Sequence, residues 1–147
     1  MADLPALDGL IFNRGPIADP AAFARENDAA SWLYLCGTEF ASMPGGMSYD
    51  QVQEAVGASR NIVSDPPVVP DMDLARQHMA AIEELPRPTL VTCRGGPRSS
   101  AAVYLYAGLQ AGASADEVLA RAEADGAPFV GFDDLRAWVT QGLAELR

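Results

Sequence analysis

The residues best suited to chemistry lie together in the run Cys-Arg-Gly-Gly-Pro-Arg-Ser, from Cys93 to Ser99. An apolar β-type run, Thr89 to Thr92, precedes the cysteine, and an alanine-rich run with helical character follows the serine. This order predicts a thiol at the carboxyl end of a strand and the amino end of a helix, where backbone N–H groups can surround an anion. The helix dipole and nearby arginines favour a thiolate there, and such a thiolate is a nucleophile for phosphoryl or sulfur transfer.

The residues between the cysteine and the serine each have a predicted role in binding an anion. Gly95 and Gly96 allow the backbone to curl around it. Arg98 presents a planar guanidinium that can hold two oxygens of an oxyanion. Ser99 can donate a hydrogen bond to the cysteine sulfur and so help the thiolate to leave. Arg94 is either a second anion contact or a side chain that faces solvent.

Three further features concern the remaining thiol, the histidine and possible cofactors. Cys36 ends an apolar run as Cys93 does, so both thiols are expected at one edge of the sheet. There they could form a reversible disulfide that protects the nucleophile from overoxidation, although the burial typical of cysteine favours a core thiol at Cys36. The single histidine, His78, is expected on the solvated face of a helix. Without a Cys-x-x-Cys pair or further histidines, we expect no metal site and no cofactor.

Strands and helices alternate along the chain, which favours a parallel sheet. Strands are predicted over residues 9–13, 31–36, 61–64 and 89–92, and helices over residues 20–27, 48–56, 71–85, 99–111, 114–125 and from residue 133 onward. We therefore expect one domain over residues 1–147, with a three-layer α/β fold, a mostly parallel central sheet of about four strands and helices on both faces. Ligands of such sheets bind at the carboxyl ends of the strands, where Cys93 is predicted to lie.

Composition narrows the classes of partner. The net charge is −10, all ten cations are arginine, and a surface this acidic repels nucleic acid. No apolar run approaches the ~20 residues that cross a bilayer. The amino terminus lacks a basic segment followed by an apolar core, so no secretory signal is predicted. Together with the low cysteine content, this favours the reducing cytoplasm as the location.

The run from Cys93 to Ser99 resembles the signature loop of the cysteine-dependent tyrosine and dual-specificity phosphatases. It is most similar to a small bacterial branch called beta-lactamase-hydrolase-like or phosphatase-like proteins, which typically read Cys-Arg-Ser-Gly-Thr-Arg-Ser at this point. The stretch from Gly112 to Glu117 is also similar to a Gly-x-Ser-x-Glu-Glu stretch of dual-specificity phosphatases, and the resemblance covers about residues 30 to 140. It implies hydrolysis of phosphate esters, on a small molecule or a phosphoprotein, through a thiophosphoryl-cysteine intermediate.

The resemblance also implies a general acid that protonates the leaving oxygen. Asp65 is the candidate, because it follows a predicted strand, precedes Pro66-Pro67 and lies 28 residues before Cys93, near the family's usual separation. The alternative is that Asp65 only begins a turn, as Asp-Pro pairs commonly do.

The loop departs from the phosphatase pattern in three ways. Four residues, not five, separate Cys93 from Arg98, a spacing similar to that of many rhodanese-type sulfurtransferases. Pro97, within the predicted phosphate-binding loop of residues 94–98, removes one N–H donor. Thr92 stands where many phosphatases have histidine. Two alternatives therefore remain: a sulfurtransferase that carries a persulfide on Cys93, and a non-catalytic anion-binding module. The two helices predicted after Ser100 favour the phosphatase.

Overall fold

A four-stranded parallel sheet organises residues 2–147, which are the residues that the computed structural model describes. The strands are paired in the order β1-β4-β2-β3, all parallel. Their bounds are β1 Leu10–Phe12, β2 Ser31–Tyr34, β3 Ala58–Asn61 and β4 Thr89–Thr92. The helices are α1 Pro20–Glu26, α2 Tyr49–Ala55, α3 Met72–Glu84, α4 Pro97–Ala111, α5 Ala115–Asp125 and α6 Asp133–Glu145, with short 3-10 helices at Pro5–Gly9, Thr38–Ser42 and Pro128–Gly131. The predicted α/β class is confirmed.

The two faces of the sheet carry separate apolar clusters. Trp32 and Tyr34 of β2 pack with residues of α1 and α2 in the smaller cluster. Leu33, Leu35 and Val91 pack with residues of α3 to α6 in the larger one. Alternate residues of a strand point to opposite faces, so a central strand must be apolar on both. All four residues of β4 are accordingly buried.

Local capping signals in the sequence define most of the helix starts. Asp19 accepts from the Ala22 N–H at the start of α1, and Asp71 accepts from the Leu74 N–H at the start of α3. Complete capping boxes, in which the third helical residue returns a hydrogen bond to the cap, form at Ser48 for α2 and at Ser114 for α5. These contacts span three residues, so the sequence alone could predict them.

Several predicted boundaries differ from those observed, and for two of them the structure shows the cause. β3 lies at residues 58–61, three residues earlier than predicted, because an edge strand pairs on one side only and tolerates the polar Ser59 and Arg60. α4 begins at Pro97, two residues early, since proline suits the first helical position. α6 begins at Asp133, as predicted, and Phe132 is its cap residue.

The expectation for His78 is also wrong. Its side chain is buried rather than solvated, because α6 packs against α3 and places the Trp138 ring edge-on to the imidazole, with centroids 5.7 Å apart. The Nε2 atom lies 2.8 Å from Ser64 Oγ, while Nδ1 has no hydrogen-bond partner among the described residues. No helix within residues 2–147 has the length and apolarity that a membrane crossing requires.

Candidate active site

Cys93 lies between the end of β4 and the start of α4, as the sequence predicts. The side chain is buried, and its Sγ accepts hydrogen bonds from two backbone N–H groups, that of Gly96 at 3.2 Å and that of Ser99 at 3.4 Å. The amino terminus of α4, a helix of 15 residues, adds the positive end of its dipole. The sulfur is therefore surrounded by groups that stabilise negative charge on it.

Gly96 adopts a backbone conformation that only glycine tolerates at this place. Its φ is +118°, and a Cβ atom on it would lie 2.3 Å from the Asn13 carbonyl oxygen. This conformation turns the Gly96 N–H toward Cys93 Sγ. Gly95, in contrast, has open space where a Cβ would be, so the two glycines of the loop have different structural requirements.

Arg98 connects the loop to the segment that carries Asp65. Its Nη1 donates to the carbonyl oxygens of Ser64 and Val68, the latter at 2.6 Å. The carbonyls lie on either side of Asp65-Pro66-Pro67. The arginine thus fixes the position of this segment relative to the amino end of α4 while its side chain lines the pocket over Cys93.

Asp65 and Arg94 form a partly buried ion pair next to the thiol. Both Nε and Nη2 of Arg94 lie 2.8 Å from Asp65 Oδ2, and the Gly37 N–H donates to Oδ1 at 3.1 Å. The Asp65 side chain is only 6% exposed, against 28% for Arg94. The Arg94 guanidinium thus contacts the Asp65 carboxylate beside the thiol. The role of Arg94 as a second anion contact and that of Asp65 as the general acid stay predictions.

Asn13 is the site residue that sequence reasoning missed. Its Nδ2 donates to the Cys93 carbonyl at 2.9 Å and to the Gly15 carbonyl at 3.0 Å. Its Oδ1 accepts from the Cys93 N–H at 3.2 Å and from Ser99 Oγ at 2.9 Å. Because β1 pairs in parallel with β4, the residue that follows β1 comes to lie beside the residue that follows β4. A polar residue directly after an apolar strand was the available signal.

Three acceptors lie within reach of the single hydroxyl hydrogen of Ser99. Its Oγ lies 2.9 Å from Asn13 Oδ1, 3.1 Å from the Gly96 carbonyl and 3.4 Å from Cys93 Sγ. A neutral thiol is a weak acceptor, whereas a thiolate is a strong one. The hydroxyl can therefore turn from the asparagine to the sulfur when negative charge develops there.

Cys36 lies near this site but on the other face of the sheet. It packs in the smaller cluster with Trp32 and Tyr34, whereas Cys93 belongs to the larger cluster. Burial, with smaller contributions from the neighbouring Cys93 and Asp65, raises the pKa of the Cys36 thiol to about 12. Both cysteines are free. Their pairing as a redox couple stays a prediction.

The pocket over Cys93 has a volume of about 400 Å³ and is lined by the Asp65–Arg94 pair and Arg98 as well as the loop. Phe132 and Asp134, at the start of α6, also line it. Within residues 2–147, no group of three or more His, Cys, Asp and Glu side chains is arranged to hold a metal ion. The pocket can thus offer an anion N–H groups and arginine, together with a thiol and a carboxyl group.

Solved structures of phosphatases share this fold. Tk-PTP in its active form matches with a TM-score of 0.73 at 19% identity, over 93% of this chain and 92% of that one. A candidate phosphatase from Neisseria meningitidis matches with a TM-score of 0.66 at 17% identity, over 91% and 93% of the two chains. The core catalytic domain of the PP-IP phosphatase SIW14 from S. cerevisiae matches with a TM-score of 0.60 at 17% identity, over 94% and 80%.

Neither the family models nor the curated proteins gave a match to this sequence. The structural matches confirm the phosphatase-like fold that the resemblance implied. The assignment to the small bacterial branch stays a prediction.

Proposed function

We propose that this protein hydrolyses phosphate monoesters through a thiophosphoryl intermediate on Cys93, without a cofactor. The observation that carries the proposal is the position of Cys93 Sγ. It accepts hydrogen bonds from two backbone N–H groups, in a pocket that Asp65 also lines. The phosphatase fold of the structural neighbours supports it. The phosphate could belong to a small molecule or to a phosphoprotein.

In the first step, the Cys93 thiolate attacks phosphorus in line with the leaving oxygen. The S–P bond forms as the P–O bond breaks, and the leaving oxygen takes a proton from the Asp65 carboxyl. Loop N–H groups and Arg98 hold the three equatorial oxygens, over which the negative charge is spread. The positive end of α4 serves the same purpose.

Substrate binding and the role of Asp65 are linked through Arg94. In the structure every polar contact of the Asp65 carboxylate is with a donor, two from Arg94 and one from the Gly37 N–H. A phosphate dianion in the loop competes with Asp65 for the arginine. When Arg94 turns toward the phosphate, the Asp65 carboxyl is released from the ion pair and can contact the leaving oxygen.

In the second step, water attacks the thiophosphoryl group and the S–P bond breaks. Asp65, now a carboxylate, accepts the proton from the water, and the sulfur leaves as a thiolate. Ser99 turns its hydroxyl from Asn13 Oδ1 to Cys93 Sγ, a rotation that the three acceptor distances around its Oγ allow. Inorganic phosphate is the product.

A sulfurtransferase is the second candidate, and the four residues between Cys93 and Arg98 favour it. In that reaction Cys93 would take a sulfur atom from a donor such as thiosulfate and pass it to an acceptor such as cyanide. A persulfide carrier needs no acid, however, and leaves the buried Asp65–Arg94 pair beside the thiol without a role. A non-catalytic module would bind phosphate and turn over neither substrate.

One set of assays separates the three candidates. Purified protein is offered an aryl phosphate and, separately, thiosulfate with cyanide, with Cys93→Ser as the inactive variant and Cys36→Ser as its matched control. Phosphate release that is lost in Cys93→Ser but kept in Cys36→Ser supports the proposal. Thiocyanate formation without phosphate release supports the sulfurtransferase, and phosphate binding without either activity supports the module.

The pH dependence of the rate tests Asp65 separately. The Asp65→Asn variant should lose the basic limb of the pH–rate profile, because that limb reports deprotonation of the general acid. An unchanged basic limb removes Asp65 from the mechanism.

A further inference from the structure

The pocket over Cys93 has little positive charge for an anion-binding site. The described residues that line it include two arginines, Arg94 and Arg98, and two aspartates, Asp65 and Asp134, so the formal charges cancel before any thiolate is counted. Arg94 is already paired with Asp65 at 2.8 Å. One phosphate dianion would therefore use all the cationic groups that the pocket offers.

The adjoining surface offers no additional cation for a second phosphate. A cleft of about 280 Å³ lies on the other side of the Asp65–Arg94 pair, and within the described part of the chain its lining adds Glu39 but no further basic residue. The whole chain lacks lysine and has a net charge of −10. A carrier with several phosphates would meet carboxylates on both sides of the loop, and like charges brought together in this way cost binding energy.

Apolar residues make up much of the pocket wall between the charged groups. Pro66, Pro97, Phe132 and Leu135 line it, and Phe132 is 48% exposed. Single exposed apolar side chains are ordinary on a protein surface. Four apolar residues in the wall of one pocket indicate that the molecule bound there carries an apolar group next to its phosphate.

We propose that this site selects phosphomonoesters that carry a single phosphate on an uncharged, apolar group, and that Phe132 and Asp134 enforce the selection. The proposal rests on the proposed function. The phosphate occupies the loop, the apolar carrier packs on Phe132, and the Asp134 carboxylate repels a carrier with negative charge. Polyphosphorylated substrates, such as inositol phosphates, are excluded by the same charges.

Two aryl phosphates of nearly equal shape measure this selection. The first, 4-methylphenyl phosphate, has an uncharged carrier, and the second, 4-carboxyphenyl phosphate, adds one negative charge. Their ratio of kcat/KM is compared between the wild type and Asp134→Asn, so that intrinsic reactivity cancels. We expect the preference for the uncharged carrier to fall about fivefold in Asp134→Asn, as loss of one partly screened charge contact predicts. Asp133→Asn, one residue away and outside the pocket lining, should leave the ratio unchanged.

The Phe132→Ser variant tests the apolar contact. It should lower kcat/KM for 4-methylphenyl phosphate by about three- to tenfold, the usual worth of one aromatic contact. A preference that is the same in Asp134→Asn and the wild type, or an unaltered kcat/KM in Phe132→Ser, overturns the proposal. Faster hydrolysis of inositol hexakisphosphate than of the aryl ester by the wild type also overturns it.

If no phosphate ester is hydrolysed, the proposed function has failed. The preference for a single phosphate is then tested by a binding measurement. Inorganic phosphate and inositol hexakisphosphate are compared as protectants of Cys93 against iodoacetamide, followed by peptide mass spectrometry. The Cys36 peptide is the slow internal reference, because the pKa of Cys36 is raised to about 12. We expect the inositol phosphate to protect no better than phosphate. Protection at tenfold lower concentration (about 1.4 kcal/mol of tighter binding) contradicts the selection.

Discussion

His78 is the single histidine of the chain. Because it contacts Ser64, the residue before Asp65, its protonation affects how this segment is held. Its Nε2 lies 2.8 Å from Ser64 Oγ, which itself donates to the Ile62 carbonyl at 2.8 Å. Since the hydroxyl has one hydrogen, the ring must donate from Nε2. Nδ1 is then an unprotonated acceptor that finds no partner within residues 2–147. Burial, with a smaller contribution from the charge of Arg98, lowers the pKa of His78 to about 3.

The sign and size of the resulting pH dependence follow from this shift. The unfolded chain binds a proton at His78 below a pKa of about 6.5, whereas the folded protein does not until about pH 3. Acid therefore favours unfolding over this whole range. Between about pH 7.5 and pH 5, the histidine alone should remove about 2 kcal/mol from the free energy of unfolding.

Urea unfolding of the wild type and of His78→Gln at the two pH values measures this loss. Glutamine can still donate to Ser64 Oγ but does not titrate, and the carboxylates common to both proteins cancel in the comparison. The wild type should lose about 2 kcal/mol more than the variant between about pH 7.5 and pH 5. A double variant, His78→Gln with Gln77→His, moves the histidine to an exposed position and should behave as His78→Gln does. Equal losses in wild type and His78→Gln would refute the reasoning.

Two further predictions concern the loop. Asn13→Ala removes four hydrogen bonds: two with the Cys93 backbone, one with the Gly15 carbonyl and one with the Ser99 hydroxyl. It should slow aryl phosphate hydrolysis by about tenfold or more, as loss of precise positioning does, and it should slow the reaction of iodoacetamide with Cys93. Asn27→Ala, at the residue that follows α1, should change neither rate. A rate that Asn13→Ala leaves intact contradicts the positioning role. Gly96→Ala should lower the free energy of unfolding by about 1–3 kcal/mol, because it combines a strained φ with a close backbone contact. Gly95→Ala should unfold at the same urea concentration as the wild type. Equal midpoints for the two alanine variants would show that the turn at Gly96 is not required.

Features set by neighbouring residues could be predicted from the sequence. The caps at Asp19, Ser48 and Ser114 depend on residues three positions away. The placement of Cys93 between β4 and α4 depends on one apolar run followed by glycine, proline and serine. The parallel order of the sheet follows from the alternation of elements, which needs no knowledge of individual contacts.

Features set by distant residues could not be predicted. Asn13 reaches Cys93 across 80 residues of sequence, and the burial of His78 depends on a tryptophan of α6. The partners of Arg94 and Arg98 depend on where the Asp65 segment lies, which no local pattern specifies. The predicted position of β3 is wrong for a related reason, because its polar sequence is compatible with a strand only at the edge of a sheet.

The most direct test of the central claim is to trap the covalent intermediate. An aryl phosphate is mixed with the protein, the reaction is quenched in acid before turnover is complete, and the peptide that contains Cys93 is examined by mass spectrometry. We predict a phosphoryl group on the Cys93 sulfur, absent from Cys93→Ser and kept in Cys36→Ser. Continued phosphate release by Cys93→Ser, or turnover by the wild type with the phosphoryl group on another residue, would contradict the account.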